Sequence, residues 1–428
     1  MKNNFIKSTI ILILGGFFSK VLGMIIKIIL TRTISVKGIG IYSMILPTFN
    51  LFITLCSLGM PIAISKLVSE KKRRSKRIVL SIIPIALLFN LFLIFIIFII
   101  APFLSNYLLH NPILYYPIVC IGFTLPFICI SSILKGYFFG KEKMFPTTLS
   151  SIVEQLMRLF LTFFLVSRLV EYSLIYAICG VVLINIFSEG VSIVALMLFL
   201  PKKKDISVKD FAYDKEIFHD LMGISIPTTG SRLIGSICFF LEPIILTYAL
   251  TKVGYSKDFI TTQYGIINGY VYPLLLLPSF FTLAISSALL PVVTNSYSRH
   301  DNSYTKYKIE QAIVISLLIG IPCTFIFMFF PQHLLKILYH TNKGIIYIKM
   351  IAPVFILFYI QGPLTTAMQA MNQAKRAMIG TLYGSLIRII LLFVLSLFKI
   401  GIWGLVIAEC VNIIFITLHH FYFVFKSL

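Results

Sequence analysis

Two short motifs place a cation where lipid would surround it. Ser19-Lys20-Val21-Leu22-Gly23 returns as Ser231-Arg232-Leu233-Ile234-Gly235, with the cations 212 positions apart. Both copies lie inside long apolar segments, which also hold Lys27, Arg158 and Arg388 and the acids Glu154, Glu189, Glu242 and Glu409. A charge at a helix centre in the bilayer costs roughly 2.5–3.5 kcal/mol on insertion scales, so each should face an interior or a water-filled cavity. Lys20 and Arg232 lie near the middle of their spans, out of easy snorkelling reach, whereas Lys27 is near a span end and can snorkel. A repeated embedded cation suggests two similar halves facing one cavity, as in many transporters. A structural ion pair or a water-filled crevice without substrate is the alternative.

Glu154 and Arg158 are four apart and share a helix face, which suits either mutual neutralisation or substrate contact. Glu242 precedes Pro243, and a proline inside a helix frees a carbonyl. A carboxylate beside such a kink can bind Na⁺ or H⁺. Glu189 and Glu409 could be repeat counterparts, but their separation of 220 breaks the series described below. The candidate substrate-binding residues are therefore Lys20, Arg232, Arg158 and Arg388. The candidate ion-coupling or structural residues are Glu154, Glu242, Glu189 and Glu409.

Hydrolytic and transfer chemistry has no footing. There is no Walker loop, HExxH or GxSxG. Adjacent His419 and His420 point to different helix faces, so they make a poor metal pair. The seven cysteines all fall in apolar segments without a CxxC and read as small buried hydrophobes. No catalytic residue, metal or cofactor is expected; coupling to H⁺, Na⁺ or the membrane potential is left open.

The elements that must position these residues are membrane helices. Hydrophobic residues make up 58% of the 428 and charged residues 12%, against about 25% charged in soluble chains. Mean hydropathy is +0.97. Apolar runs of about twenty residues fit helices crossing a hydrocarbon core of about 30 Å rather than barrel strands. Twelve segments are placed near 8–30, 40–65, 78–104, 113–135, 146–168, 173–200, 221–250, 264–294, 310–332, 346–370, 377–398 and 401–425. The N-terminal stretch Met1 to Leu30 is read as a retained first span. The expected organisation is an N-terminal six-helix half (1–200), a basic cytoplasmic linker (201–220) and a C-terminal six-helix half (221–428).

The net charge of +22 reads as topology signal and anionic-lipid contact, since no nucleic-acid module is present. With the N-terminus cytoplasmic, the inside receives Lys66 to Arg77, Lys135, Lys141, Lys143, the linker lysines, Arg299, Lys306, Lys308, Lys375, Arg376 and Lys426. The outside receives fewer, among them Lys252, Lys343, Lys349 and Lys399. The positive-inside rule then puts both termini in the cytoplasm. Trp403 and the tyrosines are read as interface anchors.

The repeat extends beyond the opening motif. Ala63-Ile64-Ser65 returns as Ala284-Ile285-Ser286, and Leu134 and Arg158 fall in register with Leu364 and Arg388. The offsets rise from 212 through 221 to 230, as loop insertions in the second half require. Six spans per half make the repeats parallel.

Further motifs carry a resemblance. They are Leu58 to Glu70; Lys135-Gly136-Tyr137-Phe138 with Pro146; Glu154-Gln155 with Arg158; Ile226 to Gly235; Glu242-Pro243; Gln263-Tyr264-Gly265; Pro273 to Phe280; and Gln361-Gly362-Pro363-Leu364. In this order the chain resembles the polysaccharide-transport branch of the multidrug/oligosaccharidyl-lipid/polysaccharide (MOP) flippase superfamily. The resemblance implies an all-α polytopic fold of the MATE type, and movement of undecaprenyl-pyrophosphate-linked sugars across the bacterial cell membrane. For sporulation members it implies supply of peptidoglycan precursor to the spore cortex. It also implies basic residues in a central cavity, carried over here to Lys20 and Arg232. Where lipid II flippases commonly show an Arg-Asp pair after the span-one motif, this chain has Ile26-Lys27. The expected partners are a lipid-linked sugar, membrane lipids and cell-wall synthesis enzymes. A cation-coupled multidrug exporter and a non-transporting scaffold are the alternative functions.

Overall fold

The computed structural model describes residues 2–70, 75–200 and 213–428. Lys71 to Arg74 and linker residues Lys202, Lys203, Lys204 and Lys209 lie outside the described residues. Backbone polar groups in lipid must be satisfied within their own segment, and helices do this for each apolar run. Among the described residues, twelve helical stretches are long and apolar enough to cross a membrane, and the chain is a multi-pass membrane protein.

The helices form two compact units. One comprises Met1–Ile34 and Met44–Phe240; the other comprises Ser35–Ser43 and Leu241–Leu428. In chain order the helices are α1 (Lys2–Thr33), α2 (Val36–Ser57), α3 (Met60–Ser69), α4 (Ser75–Phe103), α5 (Tyr115–Gly140), α6 (Met144–Leu161), α7 (Ser167–Tyr172) and α8 (Leu174–Leu198). There follow α9 (Lys215–Lys252), α10 (Lys257–Ile266), α11 (Tyr272–Leu275), α12 (Ser279–Ser298), α13 (Asn302–Phe329), α14 (Pro331–Tyr339), α15 (Ile345–Ala370), α16 (Ala374–Ser396) and α17 (Trp403–Lys426). Side-chain caps mark several starts: Ser173 for α8, Ser256 for α10 and Asp301 for α13, each accepting from an N–H left free by the first turn.

In unit one, α5 packs on α3, α4 and α8, and α6 packs on α8 and α1. Its core gathers Ala63, Ile64, Ile82, Ile133, Leu134 and Phe138. In unit two, α15 packs on α12, α13 and α17, and α16 packs on α17, around Leu289, Val293, Ile309, Leu364, Ala367 and Val424. The pairings among α3, α4, α5, α6 and α8 recur in the same order among α12, α13, α15, α16 and α17, which is the duplication that the motif offsets predict.

The pair Glu189 and Glu409 stays out of the series. Helix α17 begins 229 positions after α8, close to the offset of 230, whereas the two glutamates are 220 apart, so Glu409 lies nearer the start of its helix than Glu189 does.

Spans two and eight are discontinuous. Leu58 (φ 41°) and Gly59 (φ 60°) separate α2 from α3. A side chain at Gly59 would also come within 2.6 Å of Thr228 Oγ1. The expected single segment 264–294 is instead α10, a π-helical turn (267–271), α11, a turn and α12. Pro273 and Pro278 lack the N–H that a continuous ladder needs.

Candidate functional site

Every embedded carboxylate sits in an ion pair. In unit one, Glu154 on α6 receives Lys135 Nζ at 3.0 Å and Arg158 Nη2 at 3.0 Å. Lys135 also lies 4.0 Å from Glu189 on α8. The Arg158 guanidinium approaches Ser188 Oγ at 3.5 Å. Two cations meet two carboxylates, and the cluster ties α5, α6 and α8 together. Glu154 and Glu189 keep only 9% and 11% of their side chains exposed, a depth at which unpaired charge is strongly unfavourable.

Unit two solves the same problem with different residues. Arg388 Nη1 on α16 lies 2.8 Å from Glu409 Oε2 on α17 and 3.0 Å from Glu242 Oε2 on α9. The Tyr264 hydroxyl on α10 donates to Glu242 Oε1 at 3.0 Å. Here one cation meets two carboxylates. Glu242 is 2% exposed, and among the described residues it is held by the guanidinium and the phenol.

The structure therefore places Arg158 and Arg388, expected to contact substrate, inside ion-pair clusters, each within one unit. It joins Glu154 to Arg158, as their spacing predicts. It draws Glu242 and Glu409 together, although 167 positions separate them.

Lys20 and Arg232 stand differently. Both are exposed. Among the described residues neither takes part in an ion pair. Helix α1 turns its small residues toward α6: a side chain at Gly15 would run into Thr148, and one at Gly23 would lie 3.9 Å from Gln155 Oε1. Ser19 shares that face, so Lys20, about 100° further round, is carried off the helix contact. Lys27 follows seven residues later near the same azimuth and is half-buried. On α9, Thr228 and Thr229 pack at Gly59, and Ser236 Oγ lies 2.9 Å from Thr54 Oγ1. Arg232 lies between these contacts along the helix.

Lys135 corrects the sequence reading. It is expected in a cytoplasmic loop, but α5 runs on to Gly140 and puts it in the unit-one cluster. The signal was present: apolar Tyr137-Phe138-Phe139 follows it, so the run does not end there. Tyr264 and Ser188 carried no such signal, because their partners come from other helices. Among the described residues no group of His, Cys, Asp or Glu could hold a metal.

Comparison with known proteins agrees with this architecture. The polysaccharide biosynthesis protein family matches residues 5–297, and the MatE family matches 268–394. The chain is 34% identical over 430 residues to stage V sporulation protein B of Bacillus subtilis (strain 168), covering 98% of this chain and 83% of that protein. It is 22% identical to the lipid II flippase MurJ of the same organism, covering 91% and 77%. A solved inward-facing multidrug resistance MATE family transporter of the MOP superfamily shares the fold, with a TM-score of 0.78 at 14% identity over 95% of this chain and 94% of that one. With twelve apolar helices among its described residues, the chain belongs to the polysaccharide biosynthesis protein family and is similar to stage V sporulation protein B over nearly its whole length.

Proposed function

We propose that this protein flips an undecaprenyl-pyrophosphate-linked oligosaccharide, a peptidoglycan precursor for spore cortex synthesis, across the bacterial cell membrane by alternating access. One observation carries the choice of substrate. All four embedded carboxylates are engaged by Lys135, Arg158 or Arg388, while Lys20 and Arg232 are exposed outside any ion pair among the described residues. The charge left for a ligand is positive, which suits a pyrophosphate and opposes a cationic drug. Similarity to stage V sporulation protein B and to a lipid II flippase supports the same class.

Both termini lie in the cytoplasm in this reading, from the lysine and arginine asymmetry of the loops. The coupling site, for H⁺ or Na⁺, is the unit-two cluster, where two carboxylates share one guanidinium and a negative charge is left over.

The test is accessibility of lipid II on the outer leaflet of cells or vesicles, with and without this chain. Lys20→Ala and Arg232→Ala should each abolish the gain in accessibility at unchanged membrane abundance. Unaltered accessibility in both variants would remove these residues from the site. Loss of sporulation with a normal precursor distribution would favour a scaffold, and drug resistance without lipid II movement would favour an exporter.

A further inference from the structure

Two cysteines of unit one come from different helices and meet. Helices α5 and α8 pack on each other. Cys120 and Cys179 each stand five positions beyond the first residue of their helix, and their thiols are hydrogen-bonded to one another across the contact. Further along the same two helices Lys135 approaches Glu189, fifteen positions past Cys120 and ten past Cys179. At a rise of 1.5 Å per residue, roughly 15–22 Å of helix separates the two meeting points. Helices that run side by side in one direction bring both pairs into register.

Packing by itself does not call for two thiols here. In unit two, α15 packs on α17 as α5 packs on α8. The offset of 230 that relates Leu134 to Leu364 carries Cys120 to Met350, and the 229 positions between the starts of α8 and α17 carry Cys179 to Ala408. The repeat keeps the contact without either thiol. Cys120 and Cys179 are also partly exposed. Cys56 and Cys129 of the same unit are fully buried, out of reach of an oxidant. Disulfide sulfurs stand about 2.05 Å apart, so thiols already in hydrogen-bond contact have a short gap left to close.

We propose that Cys120 and Cys179 form an oxidation site, which closes to a disulfide stapling α5 to α8. The oxidant is a second disulfide, that of a protein on the outer side, where both helices begin in the orientation proposed above. One cysteine thiolate attacks the oxidant's S–S bond, which forms a mixed disulfide and releases one thiol. The other cysteine sulfur attacks the mixed disulfide, which forms the Cys120–Cys179 bond and releases the second thiol. The cysteine pair gives up two electrons and two protons, and the oxidant leaves as a dithiol. The closed bond joins residues 59 positions apart. This chemistry is independent of the substrate proposed above.

The test uses the full chain, purified reduced in detergent and treated with dithiodipyridine, a small permeant disulfide. Peptide mapping should find Cys120 joined to Cys179, and reduction should release them. Closure should be about tenfold faster than in protein unfolded in dodecyl sulfate, because packing and not chain wandering supplies the encounter. Cys120→Ser and Cys179→Ser should each stop at a mixed disulfide on the cysteine that remains. The closed form should unfold about 5 °C above the reduced form, a gain that neither serine variant should show. Absence of the cross-link, closure no faster than in the unfolded chain, or a midpoint unchanged or lowered by closure overturns the proposal.

Discussion

Arg388 reaches Glu409 across the α16–α17 contact at 2.8 Å, and the same guanidinium nitrogen lies 3.0 Å from Glu242. One cation thus holds three helices of unit two. Arg388→Met should strand two buried carboxylates and destabilise the protein by about 3–5 kcal/mol. Thermal unfolding of purified protein in detergent measures this, and Arg388→Lys should recover part of the loss. A midpoint unchanged by the methionine would show that the cluster contributes nothing to stability.

Unit one spreads the work over two cations. Lys135→Met and Glu154→Gln should therefore not add: a double-mutant cycle should show a coupling of about 0.5–3 kcal/mol, as for residues in one ion-pair network. Additive effects would mean that the 3.0 Å contact is not maintained in the membrane.

Exposed Lys20 and Arg232 should behave in the opposite way. Alanine at either position should leave the unfolding midpoint within about 0.5 kcal/mol, as expected away from buried networks. Transport should be lost all the same. Arg232→Lys keeps the charge without the planar fork and should retain partial transport. A large fall in thermal stability would recast these residues as structural.

The leftover carboxylate of unit two should couple transport to an ion. If Glu242 and Glu409 exchange H⁺ or Na⁺, Glu242→Gln should flatten the dependence of lipid II accessibility on an imposed pH or Na⁺ gradient. Arg388 and Tyr264 remain in place in that variant. A gradient dependence identical to that of the parent protein would move the coupling site elsewhere.

Gly59 is held at φ 60° between α2 and α3. Gly59→Ala adds a left-handed backbone cost of roughly 1–2 kcal/mol and a Cβ within 2.6 Å of Thr228 Oγ1. Thr228→Ser retains that oxygen and should not relieve the clash, whereas Thr228→Ala should relieve part of it. Unfolding midpoints of the single and double variants decide the matter.

The sequence by itself determined the apolar periodicity, the twelve spans, the duplication and the embedded charges other than Lys135. Each of these is a local property: hydropathy is summed over about twenty neighbouring residues, and Glu154 meets Arg158 because one turn of helix separates them. The family was legible for the same reason, in short contiguous motifs such as Ile226 to Gly235. Only the tertiary structure decided how those charges are distributed. Glu242 meets Arg388 and Glu409 through the packing of helices far apart in the chain, and Lys135 belongs to a buried cluster because its partners Glu154 and Glu189 come from α6 and α8. The balance of two cations against two carboxylates in unit one, and of one against two in unit two, is likewise a property of side chains converging in space.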